Sequence, residues 1–272
     1  MSEQHETYPN IFEAAVLVAV LIIIELVAAA MLMSMNFLSD VNGDDAALFI
    51  TVLGNGVLFV GLMAYKKIGY RALFHPSPTS VTTVLGVLTV PVLLLVPGMV
   101  TLAGAVNSIV IWLMPMSAED QSMLESMMST SVLSTLFGCV AAPVLEEMLF
   151  RGIILRSFLR QYSRTKAILW SSVIFAVAHL NVYQLATAIV LGIVAGWLYE
   201  RCRSLWPGIL LHATYNSFVT LIYNFTPDED WASLFNTATY TAAAFVAAIV
   251  GGLLLLRLLS GAANVQPPHR RL

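Results

Sequence analysis

The chain has 272 residues, of which 58% are hydrophobic and 11% are charged, and its formal net charge is -3. Soluble domains carry roughly 25% charged residues, so this composition and a mean hydropathy of +0.83 indicate an integral membrane protein. The small negative charge and the scattered basic residues exclude an extended nucleic-acid-binding surface.

The first apolar run begins at Ile11, behind a segment that contains Glu3 and Glu6 but no Lys or Arg. A secretory signal would have a basic start and a small-residue cleavage site, and this segment has neither. We therefore expect the run to be a retained first transmembrane helix.

Crossing the hydrocarbon core takes about 20 apolar residues. Runs of this kind predict eight transmembrane helices, at about 11–35, 46–65, 81–113, 131–150, 166–180, 183–200, 207–225 and 235–258. The expected fold is all-α, a polytopic membrane helix bundle that forms a single integral membrane domain over residues 1–272.

The third run, 81–113, is long enough for one kinked helix or for a hairpin of two short helices, and it contains Pro91 and Pro97. A hairpin would place the later basic residues on the opposite face of the membrane, so one tilted or kinked helix is predicted. The acidic segment 117–130 that follows is predicted to be an amphipathic outer loop.

Lys and Arg in short loops mark the cytoplasmic side of a membrane protein. With eight spans, one face carries every basic residue: Lys66, Lys67, Arg71, Arg151, Arg156, Arg160, Arg164, Lys166, Arg201, Arg203, Arg257, Arg270 and Arg271. The loops of the other face carry Asp40, Asp44, Asp45, Glu119, Asp120, Glu125, Asp228, Glu229 and Asp230. The prediction is a multi-pass protein of the cell inner membrane, with both termini cytoplasmic and membrane lipid as a partner.

Ionisable side chains inside a span are costly unless they are paired or hydrated. The fourth run carries Glu146, Glu147 and Arg151. Adjacent residues differ by about 100° around a helix, so the two carboxylates cannot face the same point. Glu147 and Arg151 form an i,i+4 pair in the favourable order, which leaves Glu146 as the candidate general base.

Two further runs carry imidazole and amide groups. His212 and Asn216 are also spaced i,i+4, so both can approach one oxygen and stabilise an oxyanion. His179, at the end of the fifth run, supplies a second imidazole that could orient a water molecule. Counted from Lys166, His179 lies about 20 Å deep, whereas Glu146 and His212 lie within about two turns of the cytoplasmic edge. We therefore expect the fifth helix to begin above the membrane plane.

Three motifs occur in order on these apolar runs: Glu-Glu-x-x-x-Arg at 146–151, Phe-x-x-x-His at 175–179 and His-x-x-x-Asn at 212–216. The set resembles the CPBP (Abi-type) family, named for CAAX proteases and bacteriocin-processing enzymes, which includes the type II CAAX prenyl endopeptidases. The resemblance covers a catalytic core at about residues 131–225.

The resemblance implies an intramembrane glutamate-type endopeptidase that needs no cofactor or metal. Its substrate would be a peptide or lipidated protein, with prenylated CAAX-type proteins among the candidates. Glu146 and His179 would activate water, and His212 and Asn216 would form the oxyanion site. The resemblance implies as catalytic residues Glu146, Glu147, His179, His212 and Asn216, and as orienting residues Arg151 and Phe175.

Two alternatives remain open at this point. Two His and a Glu are a plausible zinc set, although no His-Glu-x-x-His motif is present. Buried Glu and His also suit a non-catalytic transport or bacteriocin-immunity protein.

Other polar and small residues have structural explanations. Glu25 is predicted to pair with a polar residue such as Asn55 on the second span and not to take part in catalysis, and Gly192 and Gly196 are predicted to allow close helix packing. Cys139 and Cys202 have no metal-binding spacing and are interpreted as packing residues.

A cytoplasmic segment is expected to lie along the anionic lipid headgroups, because it contains Arg156, Arg160, Arg164 and Lys166.

Overall fold

The structure is a computed structural model, and it describes residues 7–35, 43–127, 132–225 and 237–260. Regular structure in these ranges is helical throughout, which confirms the all-α fold. The helices are α1 (Ile11–Ser34), α2 (Gly43–Lys66), α3 (Tyr70–Phe74), α4 (Val81–Leu113), α5 (Ala118–Met127), α6 (Val132–Gln161), α7 (Arg164–Ala178), α8 (Val182–Cys202), α9 (Trp206–Phe225) and α10 (Ala238–Leu259).

Six of these helices, α1, α2, α4, α6, α8 and α10, are long and apolar enough to cross a membrane. This finding confirms a polytopic membrane helix bundle. The fifth and seventh predicted spans correspond to α7, which has 15 residues, and α9, which has 20. The predicted outer loop at 117–130 contains the short helix α5. The last part of this segment, residues 128–130, lies outside the described ranges.

The prediction that α4 is one helix is confirmed. It runs without interruption for 33 residues and contains Pro91 and Pro97. It packs against α8, α9 and α10 and so forms the centre of the bundle. A Cβ atom on Gly251 of α10 would lie 2.6 Å from the carbonyl oxygen of Pro91, so the two helices approach closely enough to require a glycine there.

The predicted end of the fourth span at residue 150 was wrong. Helix α6 continues to Gln161, and Arg151 is buried within it instead of lying in a loop. Glu146 is therefore 15 residues, or about 22 Å, from the end of α6, and His179 is equally far from the start of α7 at Arg164. The two arms of this hairpin place Glu146 and His179 at similar heights, so the difference in depth expected from the sequence is not found; the start of α7 above the membrane plane stays a prediction.

Hydrogen bonds join several chain segments at the end of the bundle where α6 ends. Gln161, at the end of α6, donates to the carbonyl of Pro9 at 3.0 Å. Arg156 donates to the carbonyl of Ala72 in α3 at 2.6 Å, and Leu205, just before α9, donates to the carbonyl of Phe74 at 2.8 Å.

The assignment of this end to the cytoplasm remains a prediction. Part of the charge pattern behind it lies outside the described residues, namely Asp40, Asp228, Glu229, Asp230, Arg270 and Arg271.

Candidate active site

Helix α6 is irregular around its two glutamates. Two π-helical segments, Phe137–Ala141 and Met148–Leu155, flank the short α-helical segment Ala142–Glu147. A π segment turns the chain differently from an α-helix and is found frequently at functional sites. The irregular geometry therefore sets the directions in which Glu146 and Glu147 leave the helix.

Glu147 and Arg151 form the buried centre of the site. The Arg151 Nη1 atom lies 2.8 Å from the Glu147 Oε1 atom, and the two side chains are 1% and 0% exposed. Arg151 also donates to the carbonyl of Gly192 at 3.2 Å, and its guanidinium lies 4.6 Å from the centre of the Phe175 ring. The predicted ion pair is confirmed, and contacts from α7 and α8 complete the surroundings of the arginine.

His212, on α9, lies between the two carboxylates. Its Nδ1 atom is 3.4 Å from Glu147 Oε1, and its Nε2 atom is 3.7 Å from Glu146 Oε2. The Glu146 side chain is 30% exposed, whereas that of Glu147 is fully buried. The His212 ring of α9 thus lies between two carboxylates of α6, the partly exposed one of Glu146 and the buried one of Glu147.

Phe175 packs between the other groups. Its ring centre lies 4.9 Å from that of Phe150, 4.9 Å from that of His179 and 5.8 Å from that of His212. The Nδ1 atom of His179 is 2.9 Å from the carbonyl oxygen of Phe175. Because a carbonyl only accepts, Nδ1 carries the hydrogen in this contact, and Nε2 is left as an acceptor.

Asn216 lies one turn beyond His212 on α9. Its Nδ2 atom donates to the carbonyl of Gly138, in the first π segment of α6, at 2.8 Å. An amide nitrogen has two hydrogens, so one of them remains for another acceptor. This bond and the approach of His212 to the glutamates attach α9 to α6 at two adjacent levels.

The structure thus brings Glu146, Glu147, Arg151 and His212 into direct contact and places Phe175 against them. His179 is joined to this group through the Phe175 ring. Within the described ranges, His179 makes no hydrogen bond or ion pair with Glu146 or Glu147.

The donors required by the zinc alternative are not assembled. Among the described residues, no group of three or more His, Cys, Asp or Glu side chains is arranged to hold a metal ion. Cys139 and Cys202 are free thiols, and Cys139 Sγ is 3.7 Å from the hydroxyl of Thr220 on α9.

Residues 128–218, which include every residue of this site, match the family model for type II CAAX prenyl endopeptidase Rce1-like proteins. This segment is therefore similar to the Rce1-like family. The match confirms the resemblance that the three motifs indicated.

The Rce1-like segment also has a bacterial relative. The protein named "Putative membrane peptidase YdiL" from Bacillus subtilis (strain 168) is 27% identical over 121 residues. The alignment covers 44% of this chain and 49% of the relative, so the chain spans about half the length of this curated relative. No solved structure matches the chain significantly.

Some important neighbours in the Rce1-like segment were missed by the sequence reasoning. A Cβ atom on Gly208 would lie 2.7 Å from Glu147 Oε2, so only a glycine lets α9 come this close. Phe150 supports Phe175, and the Gly138 carbonyl holds Asn216. The sequence signal that could have indicated Gly208 is the Pro207-Gly208 pair at the start of an apolar run. Phe150 is one of many apolar residues in its run, so no sequence signal marked it.

Proposed function

We propose that the chain is an intramembrane endopeptidase that hydrolyses a peptide bond with a water molecule activated by Glu146. The observation that carries this proposal is the position of His212 between the Glu146 and Glu147 carboxylates, which come from a different helix. The family match and the peptidase relative support the same class of reaction.

The two glutamates would have different tasks. The Glu146 side chain is 30% exposed and would be open to water and substrate, whereas that of Glu147 is 0% exposed and would not. Glu146 is therefore the proposed general base. Glu147, neutralised by Arg151, would hold the ring of His212 in place, as carboxylates commonly orient imidazole rings in active sites.

In the proposed reaction, Glu146 accepts a proton from water while the water oxygen attacks the carbonyl carbon of the peptide bond. The second amide hydrogen of Asn216, together with His212, stabilises the negative oxygen that forms. The C–N bond then breaks, and the proton held by Glu146 passes to the leaving amine. The Nε2 acceptor of His179 would help to orient the water.

The proposed substrate is a peptide segment of a membrane-associated protein. The glutamates lie about 22 Å along α6 from its end, in a span-forming helix, so the scissile bond must come to them from within the membrane region. The family description makes prenylated CAAX-type proteins the first class to test. A single membrane domain over residues 1–272 is proposed to carry the whole activity.

The proposal is tested by comparing membrane proteomes from cells that produce the wild-type, Glu146→Gln and Glu25→Gln proteins. New internal termini should appear with the wild type and with Glu25→Gln, and should be reduced at least about 100-fold with Glu146→Gln, because a general base contributes about 10²–10⁴-fold. In ¹⁸O-water, the new carboxyl groups should gain the label.

Unchanged cleavage by Glu146→Gln would contradict the proposal. Cleavage that requires Glu146 but is abolished by a chelator would instead favour the zinc mechanism. Protection or transport that depends on Glu146, with no cleavage in any of the three strains, would favour the non-catalytic alternative.

A further inference from the structure

The carbonyl of Gly138 lacks the backbone N–H donor that a π-helical segment normally provides. In a π-helical segment, the carbonyl of one residue accepts from the N–H group five residues later. Ala142 donates to Phe137 in this way. The next donor in the series would be residue 143, but this residue is a proline and has no N–H group.

A side chain from another helix supplies the donor. The Nδ2 atom of Asn216 lies 2.8 Å from the Gly138 carbonyl oxygen. Gly138 is partly buried, and a carbonyl without a donor inside a membrane helix is costly, so this bond is favourable for the bundle. It also fixes the plane of the Asn216 amide and therefore the direction of the second amide hydrogen.

We propose that Pro143 is a positioning residue: by depriving the Gly138 carbonyl of a backbone donor, it creates the acceptor that anchors Asn216 one helical turn beyond His212. The inference rests on the proposed peptidase function for its catalytic consequence, but its structural part does not. Pro143 is buried, lies three residues before Glu146 and is outside the three motifs.

A purely structural explanation makes a different prediction. Prolines are tolerated in membrane helices because neighbouring side chains can satisfy the carbonyls that they expose. If that were the whole explanation, removal of the proline would leave turnover unchanged. If Asn216 must be anchored, the same removal lowers turnover although the protein stays folded.

The first test is kinetic and uses Pro143→Ala. The new N–H group supplies the Gly138 carbonyl if the segment stays π-helical, and Ala142 supplies it if the segment becomes α-helical, so Asn216 loses its exclusive acceptor in either case. We expect kcat to fall about tenfold with KM nearly unchanged and Tm not lowered. The matched control is Pro97→Ala in α4, another proline within a helix, which should leave kcat unchanged. Full kcat in Pro143→Ala would overturn the proposal.

The second test is a thermal cycle that needs no substrate. In the wild-type background, Asn216→Ala leaves the Gly138 carbonyl without a donor and should lower Tm by about 3–6 °C. In the Pro143→Ala background the carbonyl has a backbone donor, so Asn216→Ala should lower Tm by less than about 1 °C. Equal decreases in both backgrounds would overturn the proposed anchor. Because no cleavage is measured, this result stands even if the peptidase function is wrong.

Discussion

The α1–α2 hairpin and the α6–α9 region each hold a carboxylate inside a membrane span, and their surroundings differ. Among the described residues, Glu25 of α1 has one hydrogen-bond partner, Asn55 of α2, whose amide donates to it at 3.3 Å. Glu147 contacts both Arg151 and His212. In each region a glycine makes room for the glutamate: a Cβ on Gly54 would lie 2.6 Å from the Glu25 Cγ atom.

This difference shows why an intramembrane carboxylate alone does not identify a catalytic site. Glu25 is only partly buried, and a single amide from the neighbouring helix satisfies it, as predicted from the sequence. Around Glu147, in contrast, charged and aromatic groups from α6, α7 and α9 and a backbone carbonyl from α8 meet next to a second carboxylate that is partly exposed. Convergence from several helices therefore distinguishes a candidate active site from a structural pair.

The largest difference in stability is expected when each glutamate loses its main partner. Arg151→Ala leaves a buried, charged Glu147 without its cation and should destabilise the protein by about 3–5 kcal/mol. Asn55→Ala removes one hydrogen bond from the partly exposed Glu25 and should cost about 0.6–1 kcal/mol. Unfolding in mixed detergent micelles measures both values. Similar losses for the two variants would show that the two carboxylates occupy equivalent environments.

A smaller effect is expected from adding one methyl group. In Gly208→Ala, the new Cβ would lie within 2.7 Å of Glu147 Oε2, so the carboxylate or α9 must move. Cleavage should fall about tenfold, because a displacement of about 1 Å costs up to 100-fold in rate. Gly56→Ala in α2 is the matched control, since its Cβ would meet no atom within 4 Å. Equal activity of the two variants would argue against a role for the close approach of α9 to Glu147.

Local patterns predicted much of this structure. Apolar run length predicted the helices, and i,i+4 spacing predicted the Glu147–Arg151 pair, because both depend on one helix only. The Glu25–Asn55 contact was predicted because few polar groups on the first two spans could pair with Glu25. The three motifs indicated the family whose model matches residues 128–218, because they combine specific residues at fixed spacings.

Apart from the Glu25–Asn55 contact, the packing details between helices were not predicted. Arg151 was counted with the basic residues that follow the fourth span, whereas in the structure it is buried within α6, where Glu147, the Gly192 carbonyl and the Phe175 ring together compensate its burial. The position of His212 between two carboxylates depends on how closely α9 approaches α6. That distance is set by Gly208 and by the irregular turns of α6, and neither follows from hydropathy.

The central claim is that Glu146 and His212 act as one unit, and a double-mutant cycle tests it most directly. Glu146→Asp and His212→Gln are measured singly and together for the rate of substrate cleavage. Residues that act as a unit show strongly non-additive losses, so the double variant should be no more than about threefold slower than the slower single variant. Losses that multiply in full would contradict the account, because they would mean that the two side chains contribute independently.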